Sequence, residues 1–115
     1  MPDFKRLAVW KSSHELVLQI YRQTASFPRH ELFGLISQMR RAAVSIPGNI
    51  AEGRGRDTDR EFARYITMSL GSVSELEYYL ILAKDLGYRA SPRNAADLAS
   101  VGRRLQSLRS SLREA

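Results

Sequence analysis

Cysteine is absent from this 115-residue chain, which removes disulfide frameworks, thiolate zinc sites and cysteine nucleophiles together. Histidine is nearly absent: His14 and His30 are too few and too far apart to point to a metal centre. No apolar run is long enough to span a bilayer and nothing resembles a signal peptide, so the expectation is a soluble, cytoplasmic protein without a membrane partner. No strand alternation, internal repeat, linker or low-complexity stretch stands out. Lysine is scarce as well, since among 18 basic residues only Lys5, Lys11 and Lys84 are not arginine.

What is present is ordinary in bulk and lopsided in charge. Apolar residues make up 43% and charged ones 26%, values of a globular chain that can bury a core as one domain over residues 1–115. The net charge is +6 and the pI about 10.2. The planar fork of arginine suits bidentate phosphate contacts, so a polyanionic partner is one explanation. A coding bias towards arginine gives the same count, and charge alone leaves both open.

The stretch from Gln38 to Arg64 organises the rest. Met39, Ala42, Ala43, Ile46 and Ile50 keep a helical beat although Pro47 and Gly48 lie inside it, which predicts a helix bent at Pro47 with the Ala43 carbonyl left free. Arg41, Ser45, Asn49 and Glu52 form a polar stripe beside the apolar one. It reads either as a solvated face or as a polar network that fixes the packing register. Beyond Glu52, Gly53-Arg54-Gly55-Arg56 makes a break, and Thr58 with Glu61 has capping-box spacing for the next helix. Arg54, Arg56, Arg60 and Arg64 are then expected as a basic cluster at one end of the fold, with Arg40 and Arg41 as further phosphate contacts.

The periodicity predicts four helices, over about 7–25, 29–52, 58–86 and 92–113. The first has a seam of Leu7, Trp10, His14, Val17 and Tyr21 and is closed by Phe27-Pro28. The second carries Leu32, Leu35, Met39, Ala42 and Ile46 inward, with Gly34 marking close packing or a slow start. The third places Phe62, Ser69, Leu76 and Ala83 at one core position, Tyr65, Ser72, Tyr79 and Leu86 at a second and Ile66, Val73 and Leu80 at a third, and is stopped by Gly87. Met68, Tyr78, Ile81 and Leu82 widen its apolar face beyond what a bundle helix needs, which marks an expected contact with another chain. Ser91-Pro92 starts the fourth helix, with Leu98, Val101, Leu105, Leu108 and Leu112 inward and its arginines on a solvated face. Connections this short imply antiparallel neighbours, hence an all-α, up-down-up-down four-helix bundle.

Several pieces of text then resemble the four-helix bundle proteins encoded in intervening sequences of bacterial 23S ribosomal RNA genes. They are Phe4, Leu7 and Val9-Trp10; Phe27-Pro28; Gly34-Leu35; the run from Gln38 to Pro47; the run from Asn49 to Gly53; Gly55-Arg56; Phe62; Gly71-Ser72 with Glu75; and Leu86-Gly87-Tyr88. The resemblance covers most of the chain up to Tyr88 and implies a bundle that assembles into a ring, typically a homopentamer, with no established enzymatic activity. A related group, the accessory variability determinant of diversity-generating retroelements, implies a basic ring that partners a reverse transcriptase and engages nucleic acid.

Three functions compete at this stage. The leading expectation is a non-enzymatic oligomeric accessory protein that binds nucleic acid, RNA in particular, through Arg54, Arg56, Arg60, Arg64, Arg40 and Arg41. It lacks an RNA-recognition aromatic pair or zinc knuckle, so charge and shape would dominate. The alternative is a protein-interaction scaffold using the third helix. Catalysis ranks last, because Arg22 and His30 straddle the Phe27-Pro28 break, and Glu52, Asp57, Asp59 and Glu61 are explained by capping and arginine pairing. No cofactor or metal is expected.

Overall fold

Leu7, Val9 and Trp10 follow a single 3-10 turn, Phe4–Arg6, whose N-cap Asp3 accepts from the Lys5 amide at 3.0 Å. From there the computed structural model, which describes residues 3–89 and 91–114, builds α1 (Ala8–Thr24), α2 (Leu35–Arg54), α3 (Asp59–Asp85) and α4 (Pro92–Glu114). Among the described residues there is no strand. Each helix packs on its chain neighbour, α1 closes on α4, and the diagonal pairs stay apart. The result is the expected up-down-up-down bundle, 45 Å long and about half as wide at 21 × 19 Å.

The helix ends follow their local chemistry. Thr58 caps α3 by accepting from the Glu61 amide at 3.1 Å, although the Glu61 carboxylate turns to Arg64 and leaves the capping box half made. At the other end Gly87, at φ +82°, provides the left-handed residue of a Schellman closure. Its amide donates to Lys84 and that of Tyr88 to Ala83, an arrangement that a residue with a Cβ adopts only at a cost. Ser91 accepts from the Arg93 amide at 3.3 Å where α4 begins.

Two expectations need correction. The seam of α1 is Val9, Ser13, Leu16, Ile20 and Thr24 with Val17, whereas His14 and Tyr21 are exposed and Trp10 only half-buried. Ser13 and Thr24 tolerate burial because they donate to carbonyls of their own helix, Ser13 to Trp10 at 2.9 Å and Thr24 to Ile20 at 2.7 Å. His14 instead stacks on Trp10 at the surface. The second correction is at the start of α2. Residues Arg29–Glu31 form a separate 3-10 turn, Gly34 breaks the path, and Leu32 lies exposed. The Glu31 carboxylate accepts from the Leu35 amide at 3.2 Å and so serves as the missing cap. Gly34 therefore marks a late start.

The α2–α3 pair is the most extensive contact of the bundle. Met39, Ala43, Ile46, Ile50, Ile66 and Leu76 are fully buried around it, each large side chain contributing about 1.5–3 kcal/mol. Pro47 does not end α2, which continues through it to Arg54. Nearby, Ser69 donates from α3 to the Ile46 carbonyl at 2.9 Å, so a buried hydroxyl is satisfied across the interface. One turn beyond Ile50 the helices come closer still. A Cβ on Gly53 would lie 2.6 Å from the Tyr65 Cβ and 2.9 Å from Phe62.

Candidate nucleic-acid interface

Arg54, Arg56, Arg60 and Arg64 do gather where α2 hands over to α3, but their guanidinium groups are unequally committed. Arg56 donates to the Tyr65 hydroxyl at 2.6 Å and to Glu52 at 3.3 Å, and stands 4.9 Å from the centre of the Tyr65 ring. Arg64 lies at the same 4.9 Å from that ring and donates to Glu61 at 2.8 Å. Arg54 sits over Phe62 at 5.8 Å with its Nε buried and unpartnered. Arg60 is exposed and has no ion-pair partner among the described residues.

The local electrostatics follow from these contacts. The Arg64 hydrogen bond and charge hold the Glu61 carboxyl below the usual carboxylate range, with Arg56 and Arg60 adding to the effect. The same contact raises Arg64. Glu61 thus stays charged at neutral pH and cancels part of the basic field.

Residues that the sequence did not single out complete the site. Antiparallel packing brings the last turn of α4 beside the first turns of α3, and a hollow of about 1000 Å³ opens there. Arg60, Arg64 and Arg113 line it with Asp59 and Glu61, so three guanidinium groups face two carboxylates. Arg109 reaches its edge, donating to Thr67 at 3.3 Å. Arg113 was expected on a solvated face; its nearness to Arg60 follows only once α4 is known to run back along α3.

Arg40 and Arg41 lie elsewhere. They precede Arg54 by about four turns of α2, roughly 20 Å along the helix. Arg40 belongs to α1 as much as to α2, donating to Thr24 at 2.9 Å and to the Tyr21 carbonyl at 3.3 Å while covering the Tyr21 ring at 4.5 Å. Arg41 is exposed. Of the polar stripe, Asn49 donates to the Ser45 carbonyl and hydroxyl at 2.9 and 3.0 Å, and Ser72 of α3 donates to the Ser45 hydroxyl at 2.8 Å. Arg41 and Glu52 take no part in those bonds, Glu52 being paired with Arg56 at 3.3 Å. On α3, Met68, Tyr78 and Ile81 are exposed while Leu82 is half-buried against the core.

Among the described residues, no group of three or more carboxylate or histidine side chains is placed to hold a metal ion. No described helix is long and apolar enough to cross a membrane.

With the fold and this basic end in view, comparison with known proteins becomes informative. The sequence model described as "23S rRNA-intervening sequence protein" matches residues 5–111. The chain belongs to that family. A solved structure of a protein of unknown function from the S23 ribosomal protein family of Bacteroides thetaiotaomicron superposes with a TM-score of 0.78 at 22% identity, covering 88% of this chain and 97% of that one. At that identity the likeness shows the shared bundle. No curated protein matches. In this 23S rRNA-intervening sequence protein the basic end draws on the middle of the family match, Arg54 to Arg64, and on its close, Arg109, while Arg113 lies beyond the matched residues.

Proposed function

We propose that this 23S rRNA-intervening sequence protein is a non-enzymatic, self-associating accessory protein that binds structured RNA through phosphate contacts at the α2–α3 turn end, where α3 begins and α4 finishes. The hollow lined by Arg60, Arg64 and Arg113 carries the reading. It is open, its arginines outnumber its carboxylates, and Arg60 and Arg113 have no ion-pair partner among the described residues. Arginine forks without base-stacking platforms contact backbone, so affinity follows charge and shape and little sequence. The link of the family to ribosomal RNA genes makes structured RNA the polyanion to test first; a reverse transcriptase is the protein partner that the resemblance suggests. Assembly into a ring, a pentamer by the same resemblance, would repeat the site and turn weak contacts into avidity.

The test is fluorescence anisotropy with a structured RNA across a salt series. Wild-type affinity is expected to fall on the order of 10³-fold between 50 and 200 mM salt. Arg60→Ala with Arg113→Ala should reduce the slope of log affinity against log salt by about two. A slope unchanged by this pair would move the site away from the α2–α3 turn end. No binding at low salt would favour the second reading, a protein-interaction scaffold, for which the observation is the exposure of Tyr78 (58%) and Ile81 (53%) on α3.

A further inference from the structure

Phe33 is 93% exposed, the least covered of the large apolar side chains, and its exposure is built into the fold. Gly34 turns the chain so that Leu35 enters the core while Leu32 and Phe33 stay outside. Its base is anchored: Glu31 accepts from the Leu35 amide at 3.2 Å and from the Tyr88 hydroxyl at 2.7 Å, tying the α1–α2 connection to the α3–α4 connection. Tyr21 and Val44, both exposed, extend the patch across α1 and α2. An apolar ring standing in water on an anchored turn is the shape of a knob.

A matching hollow lies on the opposite side of the same end of the bundle. Between α3 and α4, Leu80, Ile81, Pro92, Ala95 and Leu98 line a groove of about 530 Å³ that Tyr88 closes. Glu77 and Lys84 stand at it. Because α1–α2 and α3–α4 are opposite sides of a four-cornered bundle, one chain cannot fill its own groove.

We propose that Phe33 of one copy seats in the α3–α4 groove of a second copy. The proposal rests on the self-association put forward above and gives it a surface. Charge supports it. Arg41 beside the knob and Glu77 beside the groove each lack an ion-pair partner among the described residues. When two copies stand parallel, moving from Phe33 to Arg41 along α2 and from Lys84 to Glu77 along α3 leads towards the same end, because α2 and α3 are antiparallel. Arg41 therefore meets Glu77 when Phe33 enters the groove. The contact is head-to-tail, with a different surface from each partner, and repeats into a closed ring where its rotation allows.

Complementation tests this arrangement. Phe33→Asp removes the knob and Ala95→Arg fills the groove, and both positions are exposed, so circular dichroism should show unchanged helix. By light scattering, wild type is expected at a multiple of the 13.1 kDa chain mass and each variant alone at the single-chain mass. An equal mixture should give a two-chain species, because one variant keeps its groove and the other its knob. Arg41→Glu with Glu77→Arg should restore the assembly that each change alone weakens. An assembled wild type whose mass neither variant changes, or a mixture that stays single-chain, would overturn this interface alone. A single-chain wild type would overturn self-association as well.

Discussion

The two ends of the bundle solve opposite problems. At the α2–α3 turn, charge is abundant and mostly consumed: Tyr65 is packed between Arg56 and Arg64, each 4.9 Å from its ring, and Glu52 and Glu61 pair with the same two arginines. At the α3–α4 turn, Glu31 and Tyr88 lock the connections together, while Phe33 and Ile81 remain outside. The first end binds its own polar groups and leaves Arg60 and Arg113 spare. The second binds its own backbone and leaves apolar surface spare. The difference teaches that residue type alone does not mark a site: what matters is which groups the fold has left without a partner.

The glycines provide the sharpest way to break this contrast. Gly53→Ala places a methyl 2.6 Å from the Tyr65 Cβ, next to backbone that cannot swing aside. Despite the gain in helix propensity it should destabilise by about 1–3 kcal/mol, read by urea unfolding, and should disturb the Arg56–Tyr65 contact. A neutral Gly53→Ala would mean that the arginine end is loosely packed. At the other end Gly87 has no crowding neighbour within 4 Å and is required only by its φ of +82°. Gly87→Ala should cost about 1–2 kcal/mol and Gly87→Asn less. If alanine and asparagine cost the same, conformation is not the reason for this glycine.

A smaller effect separates spent from spare arginines. Arg56→Ala removes the donor to the Tyr65 hydroxyl and should cost on the order of 1 kcal/mol of stability, with little change in the salt slope of RNA binding. Arg60→Ala should do the reverse. Similar behaviour of the two variants would erase the distinction drawn between them.

The smallest effect is the response to acid. The Tyr88 hydrogen bond, then the Leu35 amide, lowers the pKa of Glu31, and Arg64 lowers that of Glu61. Both folded values lie below the ordinary 4.5, so the unfolded chain binds more protons in that window. The stabilisation is present above pH 4.5 and fades as pH falls through the depressed values. Tyr88→Phe should flatten the Glu31 share of this loss in melts taken across acid pH. Added salt should reduce the Glu61 share, which rests on an exposed ion pair. An acid limb unchanged by Tyr88→Phe would mean that this bond is not maintained in solution.

Much of the fold was legible because core positions recur. Phe62, Ile66, Ser69, Val73, Leu76, Leu80 and Ala83 are all buried where spacing put them, and Thr58, Gly87 and Ser91 mark their helix ends; of the second seam position only Tyr65 is buried, Ser72 and Tyr79 being half-buried and Leu86, at the end of α3, exposed. The phase of α1 was misread because Ser13 and Thr24 look polar yet satisfy themselves on their own helix. Leu32 fitted the beat of α2, but the turn at Gly34 removed it from the core. The arginine cluster was visible as text. Its division was not, since Arg56 and Arg64 are committed by Tyr65, and Arg113 enters only through the return of α4.

The dominance of the α2–α3 contact also bears on how the chain folds. The two helices are joined by a short connection, make the most extensive contact of the bundle and are stitched by the Ser69 hydroxyl to the Ile46 carbonyl. Closing such a hairpin costs little chain entropy, whereas joining α1 to α4 closes nearly the whole chain. The expected order is α2 with α3 first and α1 against α4 last. In native-state hydrogen exchange the amides of Ile50, Ile66 and Val73 should then be the last to open and those near Arg113 the first, so that the end of α4 that lines the arginine hollow is the part of the bundle most easily rearranged around a ligand.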